Sequence, residues 1–291
     1  MIIDILSDKI KKTKCPVCVG LDTSVDYLPE NTRVNLNTLE DKAKAILDYN
    51  IGLIDSLSNI IPSVKVQVAY YEELGVAGLD AFSKTLAYAR AKGLVVIADC
   101  KRNDIGSTAA AYSRAYLRSD APFECDFLTV NGYLGEDGIS PFIDDCKLYG
   151  KGIFVLAKTS NPGSGQLQDK ILDGKDTLYH NMGKLIASWG GGVVGKCGYS
   201  SVGAVVGATH PSQAEELRKA LPSTFFLVPG YGAQGGSSKD IRVCFDAKGG
   251  GAIVNNSRGI LCAYNNPKYK GLTPDKAAYE AVIAMREDLS W

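Results

Sequence analysis

Eight times along the chain a short, β-branched, apolar run is followed by a turn and then by a stretch with helical spacing. The runs are Val17–Asp22, Val64–Tyr70, Leu94–Asp99, Phe127–Asn131, Gly152–Ala157, Val202–Gly207, Phe225–Pro229 and Gly251–Asn255. Near-continuous apolar strands that alternate with helices pair in parallel and are buried on both faces. Eight such units predict a closed (β/α)₈ barrel, the α/β TIM-barrel class, with an open doubly wound sheet as the alternative arrangement. No linker divides the chain, so residues 1–291 are expected to form one barrel domain.

The intervening stretches agree. From Leu39 to Ile60, Leu39, Ala43, Ile46, Leu47, Ile51 and Ile54 recur at the spacing of one helical face. Pro211 and Pro274 each open a segment with acidic residues early, which suits a helix start. Two connections are longer than usual, Pro29 to Thr38 and the segment from Ser160 to Asp169 and beyond. Both follow strands and so belong to the barrel face where sites form, and the second is the better lid candidate.

Composition removes several function classes. The 32 basic and 32 acidic residues cancel, so no net field favours nucleic acid or an anionic membrane. The first residues lack the basic region and long apolar run of a signal peptide, and no later run approaches the ~20 residues of a membrane span. The eight cysteines are scattered, which predicts reduced thiols in a cytoplasmic protein. Cys15 and Cys18 have a metal-like spacing. However, no second Cys-x-x-Cys exists, and the only histidines are His180 and His210, so no metal site is expected.

Chemistry concentrates at strand ends. In Asp99-Cys-Lys-Arg-Asn-Asp104, strand alternation puts Asp99 and Lys101 on the inner face and Cys100 on the outer, with Asp104 just beyond. Lys65 lies within the second apolar run, where an ammonium group must meet carboxylates, and the third run supplies one. A structural ion-pair network is the plain alternative to catalysis. After the seventh run, Pro229-Gly-Tyr-Gly-Ala-Gln-Gly-Gly-Ser237 offers glycine-rich backbone N–H groups, and after the eighth, Arg258 offers a fork of donors. Barrels often build a phosphate site from these two loops.

Taken in order, several segments resemble the orotidine 5′-monophosphate decarboxylase family, and look closest to its longer bacterial-type branch. They are Gly20-Leu-Asp22, Lys65-Val-Gln-Val-Ala-Tyr-Tyr-Glu-Glu-Leu-Gly75, Asp99-Cys-Lys-Arg-Asn-Asp-Ile-Gly106, Thr159-Ser-Asn-Pro-Gly163, Gly203-Ala-Val-Val-Gly-Ala-Thr209 and Ser257-Arg-Gly-Ile260. The resemblance implies conversion of orotidine 5′-monophosphate to UMP, the last step of UMP biosynthesis, without metal or organic cofactor. It implies that Lys65, Asp99, Lys101 and Asp104 form a charged tetrad in which Lys101 is the proton donor. Asp22 would accept a ribose hydroxyl, Ser160 would contact the pyrimidine, and Pro229, Gln234 and Arg258 would hold the phosphate end. It also implies a homodimer in which Asp104, Ile105 and Thr108 enter the partner's site. The sequence departs from the family at Val66, where proline often follows the first lysine, and at Cys100; neither change removes a chemical group.

The chemistry suits such a set. Loss of CO₂ from C6 of orotate leaves a carbanion in the ring plane, and a fixed ammonium beside it stabilises the charge and can protonate it. Two rivals share part of the pattern. A sugar-phosphate decarboxylase or aldolase barrel uses D-x-K-x-x-D with Mg²⁺, and a catalytically silent barrel would keep only the binding loops.

Overall fold

The computed structural model describes residues 1–172, 174–232 and 236–290. Its eight long strands are β1 (Val17–Leu21), β2 (Ser63–Gln67), β3 (Val95–Arg102), β4 (Phe127–Val130), β5 (Gly152–Lys158), β6 (Ser200–Val206), β7 (Thr224–Val228) and β8 (Ala252–Asn256). They pair in parallel in sequence order, and β8 returns to β1 to close the barrel. The expected closed barrel is what forms. Closure leaves no unpaired sheet edge, and parallel pairing puts every strand's C-terminal end at one mouth.

Strand alternation sorts the apolar side chains into two clusters. Val17, Val19, Leu21, Val64, Val66, Val96, Ala98, Leu128 and Val130 face outward into the shell of helices. Cys18, Val95, Ile97, Phe127, Phe154, Phe225, Leu227 and Ile253 face inward and fill the barrel. The rings of Phe127 and Phe154 stack at 4.8 Å between centroids. Gly152 makes room for them, since a Cβ there would lie 2.3 Å from the Phe127 ring.

The outer helices are α1 (Ile2–Thr13), α2 (Leu39–Leu57), α3 (Gly75–Ala91), α4 (Gly106–Leu117), α5 (Ser140–Tyr149), α6 (Leu178–Trp189), α7 (Pro211–Ala220) and α8 (Pro274–Asp288). α2 begins at a reciprocal cap: Thr38 Oγ1 accepts from Asp41 N at 3.0 Å, while Asp41 accepts from Thr38 N at 3.1 Å. The periodic segment ends at Leu57 rather than Ile60.

The helix count departs from a regular eight-unit repeat in two places. Between β7 and β8 the longest helix among the described residues is the four-residue Ser238–Ile241. At the other end of the barrel, α1 precedes β1 and packs Ile2, Ile3 and Leu6 against the inner cluster, closing the bottom. A two-stranded ribbon, Ile171–Leu172 with Asp176–Thr177, lies between β5 and α6. No helix among the described residues is long and apolar enough to cross a membrane.

Candidate active site

The inward positions change character toward the C-terminal mouth, where apolar side chains give way to Lys65, Asp99, Thr129 and Asn255. There they line a cavity of about 680 Å³ with Asp22, Lys101, Ser160, Pro229, Ser257 and Arg258. A continuous polar chain crosses its floor. Lys65 is 4% exposed, and its Nζ lies 2.9 Å from Asp22 Oδ1 and 2.8 Å from Asp99 Oδ2. Lys101 Nζ lies 2.8 Å from the other Asp99 oxygen, with nearly half of its side chain exposed. Gln67 Nε2 and the Thr129 hydroxyl also donate to Asp99, at 3.2 and 2.8 Å.

The charges are mutually enforced. Burial alone would raise the Asp99 carboxyl, but the ammonium groups of Lys65 and Lys101 hold it far below the usual carboxylate range. Burial would likewise discharge Lys65, yet Asp22 and Asp99 hold it well above the ordinary lysine value. Both groups therefore stay ionised while largely buried, where their fields are screened less than at the surface.

Lys101 reaches this chain by a route that simple alternation does not describe. Pairing of β3 with β4 shifts register between Ala98 and Arg102. Lys101 itself adopts φ 48°, the left-handed region that non-glycine residues rarely occupy. Thr129 Oγ1 accepts from both Cys100 N at 2.9 Å and Lys101 N at 3.0 Å, holding this bulge in place. Cys100 still faces the outer shell, as expected. The bulge re-aims the Lys101 side chain, a common use of such irregularities beside reactive sites.

Asp104 does not join the charged set of its own chain. Its carboxylate accepts from Ile105 N at 2.8 Å and lies outside the cavity lining. Ile105 is 53% exposed, and the apolar Tyr133 and Leu134 are exposed as well. Thr108 is also exposed. Within one chain the set is therefore Asp22–Lys65–Asp99–Lys101, with Asp22 taking the end position.

Ser160 lines the cavity from a loop that is tied down. Lys158, fully buried at the end of β5, donates to Asp169 Oδ1 at 2.7 Å and Ser164 Oγ at 3.1 Å. Thr159 N donates to Gln168 Oε1 at 2.9 Å, and Thr209 Oγ1 to the Ser160 carbonyl at 2.9 Å. These bonds hold both ends of the polar stretch of the segment read as the better lid candidate, and Ser160 forms part of the cavity wall.

Across the cavity, Pro229, Gly230 and Tyr231 follow β7, and the Tyr231 hydroxyl donates to Asp288 Oδ2 at 2.6 Å. Gln234 lies outside the described residues. Arg258 opens the short helix Arg258–Leu261, and its exposed side chain faces the same cavity.

Sequence reasoning missed Thr129, Gln67, Ser257 and Lys158. Thr129 and Ser257 share inward parity with Phe127 and Asn255, a signal that was available. Lys158 stands one residue past an apolar run that reads as ending at Ala157. Cys15 and Cys18 fall in different clusters, outside and inside the barrel, and burial pushes their thiols up to about 11 and about 12. Among the described residues no group of three or more His, Cys, Asp or Glu side chains could hold a metal ion.

Comparison with known proteins gives a consistent picture. Residues 16–271 match the model of the orotidine 5′-phosphate decarboxylase / HUMPS family. A protein from Rhodopirellula baltica named orotidine 5′-phosphate decarboxylase is 43% identical, with 98% of this chain and 97% of that protein covered. One of the same name from Clostridium botulinum is 43% identical over 99% of both chains. A crystal structure from Streptomyces avermitilis, assigned to the same decarboxylase, superposes with a TM-score of 0.81 at 30% identity, covering 99% of this chain and 95% of that one.

Proposed function

The chain belongs to the orotidine 5′-phosphate decarboxylase / HUMPS family and is a carboxy-lyase that converts orotidine 5′-phosphate to UMP, and from that premise we propose how its residues divide the work. The observation that carries the reading is the alternating chain Asp22–Lys65–Asp99–Lys101 on the cavity floor, with Lys101 half open to the space above it. When the bond from C6 to the carboxylate breaks, its electron pair stays on C6 and CO₂ leaves. Lys101 stabilises that pair through its positive charge and then transfers a proton from Nζ to C6. Asp99 and Lys65 keep the ammonium oriented, and Lys101 regains its proton from solvent.

The remaining assignments follow the cavity. Arg258 and the backbone after Pro229, together with Gln234, take the phosphate, and Ser160 contacts the pyrimidine from the cavity wall. Asp22 accepts ribose hydroxyls. Phosphate binding, remote from C6, supplies energy that orders the site. The fourth carboxylate comes from a second copy of the chain. Asp104, Ile105 and Thr108 sit on a rim with exposed Ile105, Tyr133 and Leu134, and pairing two such rims would bury this apolar surface and carry Asp104 into the partner's cavity. We read residues 1–291 as one barrel domain acting in the cytoplasm, consistent with eight free cysteines.

The reading is tested by following orotidine 5′-phosphate absorbance after dialysis against a chelator. Undiminished turnover is expected, because the side-chain ammonium groups supply the positive field. Loss of activity with recovery on adding Mg²⁺ would overturn it in favour of metal-assisted sugar-phosphate chemistry.

A further inference from the structure

Asp22 is held through both carboxylate oxygens. Lys65 Nζ takes Oδ1 at 2.9 Å, and the Ser257 hydroxyl donates to Oδ2 at 2.7 Å. A serine hydroxyl has one proton, so once it is given to Asp22 the Oγ can only accept from Asn255 Nδ2, which lies 3.3 Å away. That order fixes the Asn255 amide and leaves its Oδ1 buried with no hydrogen-bond partner, an arrangement tolerated beside the cavity at a cost in stability. Gly20 provides the space. A Cβ there would lie 1.9 Å from Ser257 Oγ and 2.9 Å from Asn255 Oδ1. Each Asp22 oxygen keeps a further lone pair, and Asp22 lines the cavity. Ser257 is bonded directly to Arg258, which enters the same cavity.

We infer that Ser257, seated by Asn255, is a positioning residue: it locks the Asp22 carboxylate as a two-oxygen acceptor for the vicinal hydroxyls of the substrate's sugar and ties that acceptor to the arginine at the phosphate end. Without the Ser257 bond, Asp22 is anchored only through Lys65 and can rotate both oxygens toward the ammonium. The inference rests on the decarboxylase reading, and its test separates the two. Wild-type turnover of orotidine 5′-phosphate is measured first. Calorimetry then gives the Kd of UMP and of 2′,3′-dideoxyuridine 5′-monophosphate for the wild type and for Ser257→Ala. Loss of a hydrogen bond to a charged group should weaken UMP about tenfold, while the dideoxy compound changes by less than about twofold. In an Asp22→Asn background, Ser257→Ala should cost nothing further for UMP. Equal weakening of both ligands, no weakening of either, or additive losses in the double variant would each overturn the inference. A wild type that fails to decarboxylate yet shows the predicted ligand discrimination would sink the decarboxylase reading alone.

Discussion

Replacing Lys65 with methionine keeps much of the side-chain volume and removes one buried charge. In the wild type its ammonium contacts Asp22 at 2.9 Å and Asp99 at 2.8 Å. Removing one member of a buried ion pair costs roughly 3–5 kcal/mol, because the partner charge is left uncompensated. Here the lower end applies. Asp99 keeps Lys101, Gln67 and Thr129, and Asp22 keeps Ser257. At about 2.1 cal/mol/K per residue, a chain of 291 residues has an unfolding entropy near 0.6 kcal/mol/K, so about 3 kcal/mol lowers the Tm by about 5 °C.

The loss should depend on pH. Asp99 has a folded pKa held below its unfolded value, so its stabilising contribution is present above the unfolded pKa of about 4 and fades as pH falls through the folded value. Without Lys65 that depression shrinks. The Tm gap between the two proteins should therefore be full at pH 7 and should narrow as pH falls through the variant's folded Asp99 value toward that of the wild type. Thermal unfolding by circular dichroism across this range measures it, alongside decarboxylation at pH 7, which should be nearly abolished. A gap under about 1 °C at pH 7, or one that widens as pH falls, would refute the idea that Lys65 compensates the two carboxylates.

Lys101→Ala should behave differently, because its ammonium is half exposed: kcat nearly vanishes while the Tm stays within about 2 °C, and a folded variant with substantial turnover would remove Lys101 from the chemistry. Arg258→Ala should lower kcat/KM for the nucleotide far more than for the nucleoside lacking phosphate, and equal losses would place the guanidinium elsewhere. The Asp104→Ala and Lys65→Ala proteins should each be nearly inactive. With the proposed shared-site dimer, random subunit exchange between them should restore about a quarter of all sites, since half the dimers are mixed and each carries one intact site. Verified exchange without recovery would keep Asp104 in its own subunit's site.

The barrel was legible in the chain because each of its signals is local. A β-branched run, a turn and a periodic helix can be recognised within a few dozen residues, and eight repeats of that unit leave little choice but closure. The same locality hid the exceptions. Nothing in the composition of residues 229–251 says that the described residues between β7 and β8 hold no long helix. Nor does the sequence of α1 reveal that Ile3 and Leu6 plug the barrel floor, because both depend on what the rest of the barrel leaves uncovered.

At the site, the sequence alone placed Lys65 within one strand and Asp99 and Lys101 at the end of the next, where inward parity and the cost of a lone buried charge required them to meet. Only the tertiary structure decided how they meet. The turn of Lys101 into the cavity depends on a bulge held by Thr129, a residue on the neighbouring strand. Asp22 takes the end of the charged chain because β1 pairs with β2 and sets Gly20 beside Lys65, and closure of the barrel brings Ser257 to it across 235 residues of sequence. Asp104 falls outside the set because the strand has ended before it. Parity and periodicity are properties of a single segment, but register, bulges and barrel closure arise between segments, so the identities of the charged groups could be read along the chain while their pairing could not.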